Sequence, residues 1–198
     1  MKRAYRMQSR AAHVEETRIR ILEAAYQLLL EQHYDEVSLE RVAERAGLTK
    51  QTVLRQFGSK DQLAYAVVDW QRPTEEAARL VQPGDVRGAV NTLVERYERM
   101  GDANVRVLQL ENRVPAIRYL LQQGRESHSA WVARVFAPFL PRRRGRAHRR
   151  RAMAFYAATE VMLWKLLRRD FGLSRKETGA VLLALVSGLV MQNQDKEE

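Results

Sequence analysis

Between residues 50 and 56 the chain gathers Lys50, Gln51, Thr52, Arg55 and Gln56, side chains suited to the edges of base pairs. An arginine donates two parallel hydrogen bonds to O6 and N7 of guanine, and a glutamine pairs with N6 and N7 of adenine. Arg55 fits the first role, Gln51 or Gln56 the second, and the methyl of Thr52 can meet a thymine methyl. Ser38, Thr49 and Lys60 fall at predicted helix starts, where hydroxyls, backbone N–H groups and an ammonium hold phosphates.

Such side chains read DNA only from a short helix that enters the major groove, braced by a second helix across a tight turn. Gly47-Leu48-Thr49 is a turn of this kind. Ser38 is the predicted N-cap of a helix over 39–46, Gly47 stops it, and Thr49 caps a helix over 50–56. Val42, Ala43, Ala46, Leu48, Val53 and Phe57 supply the small and branched residues that close packing needs. A plain amphipathic hairpin with solvated polar residues meets the same spacing, so this pattern alone leaves two readings open. A helix over 14–32, with Ile21, Ala25, Leu28 and Leu29 on one stripe, precedes the pair after a turn at 33–36. A further helix starts at Lys60 behind Ser59, runs to about residue 70 and is expected to bend near Pro73.

The stretch from Thr17 to Ala25, and that from Val37 through Gly47-Leu-Thr-Lys-Gln-Thr-Val-Leu-Arg-Gln-Phe-Gly-Ser-Lys to Leu63, resembles the tetracycline-repressor (TetR) family. The resemblance covers most of the first 65 residues. It implies a supporting first helix, a reader made of the second and third, and a fourth that leads into a sensor domain. Thr49, Lys50, Thr52 and Lys60 fall where the family carries DNA-contacting or capping residues, and Phe57 on its core aromatic. Two positions depart from the pattern. Leu54 stands where the family often has a phosphate-binding Tyr, which would shift anchoring to Arg55 and Lys60. His33 stands where it usually has Gly, which would strain a turn of positive φ.

The rest of the sequence bounds the alternatives. No apolar run reaches the ~18 residues of a membrane span, no secretion signal is evident, and a cytoplasmic location is expected. The chain has no cysteine, which removes disulfides and thiolate chemistry. With no phosphate-cradling glycine loop, nucleophile elbow or cluster of histidines and carboxylates, neither an enzyme nor a metal or other cofactor is implied. The net charge of +10 comes largely from residues 142–151, which hold seven arginines and no acid. That run reads as a solvated loop whose arginines oppose a helix dipole; phosphate or anionic-partner contacts are the other readings.

The fold class expected is all-α: a basic, flexible arm over 1–14, a helix-turn-helix domain over 15–65, and a helical ligand-sensing and dimerising domain over 66–198. In the last, helices are predicted over 86–100, 104–112, 115–123, 125–139, 149–171 and 174–192. Ala152, Phe155, Tyr156, Thr159, Leu163 and Leu166 share one face of the penultimate helix; Thr178, Val181, Leu182, Leu185, Val186 and Leu189 share one of the last. Two such pairs form a four-helix dimer interface, which the resemblance also implies. Candidates for a ligand cavity are Tyr97, Asn104, Leu108, Tyr119, His128, Trp131, Tyr156, Glu160 and Trp164, each of which core packing would also explain. Glu160 is the odd one, with an ion pair to Arg113 or Arg118 as the bland alternative. The function this implies is a regulator, foremost a repressor, that binds a palindromic double-stranded operator as a homodimer and answers to a small-molecule effector. An activator with the same reader, or a helical ligand-binding protein of weak DNA affinity, are the alternatives.

Overall fold

The computed structural model describes residues 2–191, with side chains from residue 11 onward, and every regular element among them is helical. The chain divides into two compact units, residues 1–73 and 74–198.

In the N-terminal unit, α1 (Lys2–Glu31), α2 (Leu39–Ala46) and α3 (Lys50–Phe57) precede α4 (Lys60–Ala78). The backbone of α1 is helical from Lys2, where the sequence suggested a separate arm. Ile21, Leu22, Ala25 and Leu28 of α1 bury against Val42, Ala43 and Ala46 of α2, Val53 and Phe57 of α3, and Leu63 and Val67 of α4. These positions recur every three or four residues, so each helix turns one apolar stripe inward. A short 3₁₀ turn, Tyr34–Glu36, joins α1 to α2. His33 enters that turn with φ −67° and ψ 144°, extended backbone open to any residue. The strain expected from its replacing a glycine is therefore absent.

The C-terminal unit contains α5 (Val86–Leu108), α6 (Pro115–Val135), α7 (Arg146–Ala158), α8 (Val161–Lys165) and α9 (Arg175–Met191). Its core joins Leu93, Val94 and Tyr97 of α5, Trp131, Val132 and Val135 of α6, Phe136, Phe155 of α7, Val161 and Trp164 of α8, and Leu182 and Val186 of α9. Phe136 and Phe155 stack with ring centroids 4.4 Å apart.

Helix boundaries differ from the sequence expectation: α4 runs on through Pro73 to Ala78, and α7 begins at Arg146, inside the arginine run read as a loop. The helices predicted over 86–100 and 104–112 are one helix that passes through Gly101, and those over 115–123 and 125–139 are one helix through Gly124 followed by a 3₁₀ turn, Ala137–Phe139. Conversely, the single helix predicted over 149–171 breaks at Thr159 and Glu160. Polar groups stabilise this break. The Thr159 hydroxyl donates back to the Phe155 carbonyl at 2.7 Å, Tyr97 Oη donates to the Thr159 carbonyl at 2.7 Å, and the Glu160 carboxylate accepts from the Met162 N–H at 2.7 Å as N-cap of α8. A π-helical turn, Leu166–Asp170, follows.

Candidate nucleic-acid interface

The α2–turn–α3 geometry rests on three local devices. Ser38 caps α2 by accepting from the Arg41 N–H at 3.2 Å. Gly47 ends α2 with φ 64°, the left-handed region that a side chain would strain. Thr49 caps α3 by accepting from the Thr52 N–H at 3.2 Å, and its hydroxyl meets that of Thr52 at 3.0 Å. Arg20 of α1 closes the turn from behind, its Nη2 donating to the Ala46 carbonyl at 2.5 Å. Arg45 forks onto Glu31 at 3.0 and 2.7 Å, tying α2 to α1 a second time. Neither arginine was legible as a brace, because the contacts join helices far apart in sequence.

With the turn fixed, α3 buries Val53 and Phe57 and leaves Lys50, Gln51 and Arg55 exposed, with Thr52 and Gln56 half-buried. Lys50 is ion-paired with Glu40 of α2, which holds that carboxyl below its ordinary range. Leu54 is half-buried and offers no hydroxyl. Lys60 sits differently from the other candidates. Its ammonium donates to the Tyr34 carbonyl and lies 4.1 Å from the centroid of the Tyr34 ring, and burial lowers its pKa. Tyr34 Oη in turn donates to Asp61 at 2.5 Å. Lys60 thus locks the entry to α4, its ammonium turned onto Tyr34. An open groove of about 700 Å³ elsewhere in this unit is lined by Arg20, Arg45 and Trp70 among others. It includes none of the predicted DNA-contacting or ligand-contacting side chains.

In the C-terminal unit the ligand candidates separate. Tyr97, His128, Trp131 and Trp164 are buried, Asn104, Leu108, Tyr156 and Glu160 are half-buried, and Tyr119 is exposed. Glu160 caps α8 rather than pairing with Arg113 or Arg118. Trp164 Nε1 donates to Glu98 at 3.1 Å, and Arg168 forks onto the same carboxylate at 2.9 and 3.1 Å.

His128 and Trp131 meet on a residue that the sequence reading passed over, and Tyr156 packs against His128. Arg79, the first residue beyond α4, is only 8% exposed. Its Nη2 donates to His128 Nδ1 at 2.7 Å, and its guanidinium carbon lies 5.0 Å from the Trp131 ring centroid. A guanidinium has no acceptor, so His128 Nδ1 carries no proton. The imidazole is then neutral, with its Nε2–H directed at the Thr159 hydroxyl 3.1 Å away. Burial, reinforced by Arg79 and Arg96, lowers the His128 pKa to about 3. Both ring nitrogens are engaged, so His128 is no metal ligand here. Burial also lowers the Arg79 pKa, to about 10, which leaves it charged at neutral pH.

The predicted dimer seam also divides. Phe155, Thr159, Leu182 and Val186 are buried in the chain's own core, which corrects their assignment to a subunit surface: α7 and its C-cap turn the first two toward α6, and α9 packs the other two toward α5 and α7. Leu163, Val181 and Leu189 are half-buried, and Leu166 and Leu185 are exposed. Ala184 and Gly188, also exposed, extend that outer stripe along α9.

Residues 21–67 match the model of the family described as bacterial regulatory proteins, tetR family. No curated protein matches the sequence. The whole chain is similar in fold to a tetR-family transcriptional regulator from Streptomyces coelicolor, at TM-score 0.72 and 15% identity over 91% of this chain and 89% of that one. It is similar to a TetR-family regulator from Rhodococcus sp. at TM-score 0.65 and 15% identity, over 89% and 99% of the two chains. NalD from Pseudomonas aeruginosa, the secondary repressor of the MexAB-OprM multidrug efflux pump, is matched at TM-score 0.57 and 22% identity, over 88% and 97%. With a capped helix-turn-helix inside it, the matched segment, residues 21–67, is a helix-turn-helix of the tetR family, and the chain as a whole shares the fold of the tetR-family regulators it resembles.

Proposed function

We propose that this chain is a repressor that grips a palindromic operator as a homodimer in the cytoplasm and is released by a small molecule. The observation that carries the reading is the exposed polar face of α3, set by the Gly47 turn and its Thr49 cap. In this reading Gln51, Thr52, Arg55 and Gln56 meet base edges, while Ser38, Thr49, Lys50 and Lys60 position the phosphate backbone. One such reader spans too few base pairs for useful specificity, so a second copy is needed. The outer stripe of α9 supports that pairing. Val181, Ala184, Leu185 and Gly188 recur at helical spacing with Leu185 45% exposed, and Met162 of α8 and Leu166 just after that helix are exposed as well. NalD, a repressor of similar fold, favours repression over activation. A ligand that prefers the non-binding conformation shifts the population away from the operator, and operator DNA weakens that ligand by the same factor.

Selection from a random duplex library tests the reading. It should return an inverted repeat with half-sites about one helical turn apart. Recovery of a single unrepeated site, or of no sequence preference, would contradict it.

A further inference from the structure

Arg79 is a buried cation without a buried counter-ion. Among the described residues it forms no ion pair, and its Nε is buried with no hydrogen-bond partner. The one side chain it donates to, His128, is neutral. The charges around it supply only part of the missing anion: Glu75 acts favourably on Arg79 from a distance, without an ion pair. Arg96 and Arg134 lie near enough to oppose the Arg79 charge. Glu75 is shared between Arg96 at 2.8 Å and Arg99 at 3.3 Å, and the Glu160 carboxylate is taken up by the Met162 N–H. Arg134 adds its donors to the Arg79 and Val81 carbonyls at 3.4 and 3.3 Å, which relieves none of the excess. An unpaired guanidinium in such a place is unfavourable for the empty protein, offset in part by its bond to His128 and the face of Trp131.

We infer that Arg79 is the anchor for the carboxylate of the effector, whose remaining body is apolar and lies against Trp131 and Tyr156. This rests on the ligand-responsive reading above and adds the chemical class of the ligand. A guanidinium binds a carboxylate through two parallel N–H donors, and the Nε–H of Arg79 is buried and unpartnered beside the Nη2 that meets His128. The rings around the guanidinium suit a single negative charge on a hydrophobic body. A phosphate dianion would want further donors, and the His128 ring nitrogens and the hydroxyls of Thr159 and Tyr97 are already committed. Arg79 lies just past the end of α4, so its side chain can turn from His128 toward a ligand without unwinding a helix.

The test uses the full chain and matched probes: the straight-chain carboxylates from acetate to decanoate and 1-naphthoate, each against its own primary alcohol. Binding is read by tryptophan fluorescence and by the rise in unfolding midpoint. At least one carboxylate should bind tenfold or more tightly than its alcohol. Arg79→Met should abolish that preference while leaving the midpoint of the empty protein as high as before or higher. A merely structural Arg79 predicts the opposite pair: no carboxylate preference in the unmodified protein, and a lower midpoint for Arg79→Met. Should Arg79→Met fail to fold, the unmodified protein still decides, with Arg99→Gln as a control for exposed charge that should keep the preference. Absence of any carboxylate preference, or its survival in Arg79→Met, overturns the assignment. Operator affinity is measured beside binding. A carboxylate that binds through Arg79 but leaves the operator complex unchanged upholds the site and counts against the release mechanism.

Discussion

The six-membered ring of Trp164 lies directly on Gly101: a Cβ at that glycine would stand 2.4 Å from Trp164 Cζ3. The contact explains why a glycine sits in the middle of α5, where it weakens the helix. Trp164 has no exposed surface and is held at its far end by Glu98, so it cannot swing aside. Gly101→Ala should therefore destabilise the C-terminal unit despite the better helix propensity of alanine. Overpacking of this kind costs roughly 1–3 kcal/mol. The check is the unfolding midpoint followed by tryptophan fluorescence. A midpoint raised by Gly101→Ala would mean that propensity outweighs the clash.

The pH dependence of stability should carry the signature of His128. Its folded pKa, about 3, is below its ordinary value of 6.5. The unfolded chain thus binds a proton that the folded chain refuses, and stability falls as pH drops below 6.5, continuing toward 3. The slope is roughly 1.4 kcal/mol per pH unit, which amounts to about 2 kcal/mol by pH 5. The carboxylates paired with arginine, such as Glu98 and Asp102, have lowered pKa values and lose their contribution only at lower pH. His128→Gln keeps an acceptor for Arg79 without a titrating ring, so its denaturation midpoint should change less between pH 7 and pH 5 than that of the unmodified protein. Equal slopes in the two proteins would remove His128 from the account.

Leu185→Glu separates dimerisation from folding. Leu185 is 45% exposed while Leu182, one turn away, is 3% exposed. A carboxylate at Leu182 would enter the core of the chain's own fold, whereas at Leu185 it would be desolvated only in a subunit interface. Leu185→Glu should keep full helical content, sediment as a monomer and lose operator binding with an unaltered reader. A variant that stays dimeric would move the interface off the outer stripe of α9.

The reader was legible because each of its devices is local in sequence: Ser38 and Thr49 before apolar helices, Gly47 between them, and an alternation of buried and polar positions through Phe57. The C-terminal unit was less so, for reasons that specific residues make plain. Gly101 and Gly124 look like stops in sequence, and only the ring of Trp164 reveals what Gly101 is for. Thr159 and Glu160 look like helix interior, and the break there depends on Tyr97, 62 residues away. Phe155, Thr159, Leu182 and Val186 share helical faces with true surface residues, so periodicity could not separate core from seam. Arg79 carries no signal of its own in sequence, since burial is a property of the fold that residue type does not announce.

The caps of the reader should matter to stability as well as to recognition. Thr49→Ala removes the acceptor for the Thr52 N–H, and loss of an N-cap costs about 1 kcal/mol. Thermal unfolding should show that loss in the N-terminal unit, and Thr49→Asn should restore most of it. If Thr49→Asn recovers stability without recovering operator affinity, the hydroxyl also contacts DNA.

The central claim, that α3 reads base edges, is tested most directly by titrating the selected duplex and its single-base variants with the unmodified protein and with Arg55→Ala. Arg55→Ala should lose about 1–3 kcal/mol of affinity and its preference at one position of each half-site, leaving the other positions as discriminating as before. Binding that keeps both its strength and its base preference at every position in Arg55→Ala would contradict the assignment of α3 as the reading helix in this register.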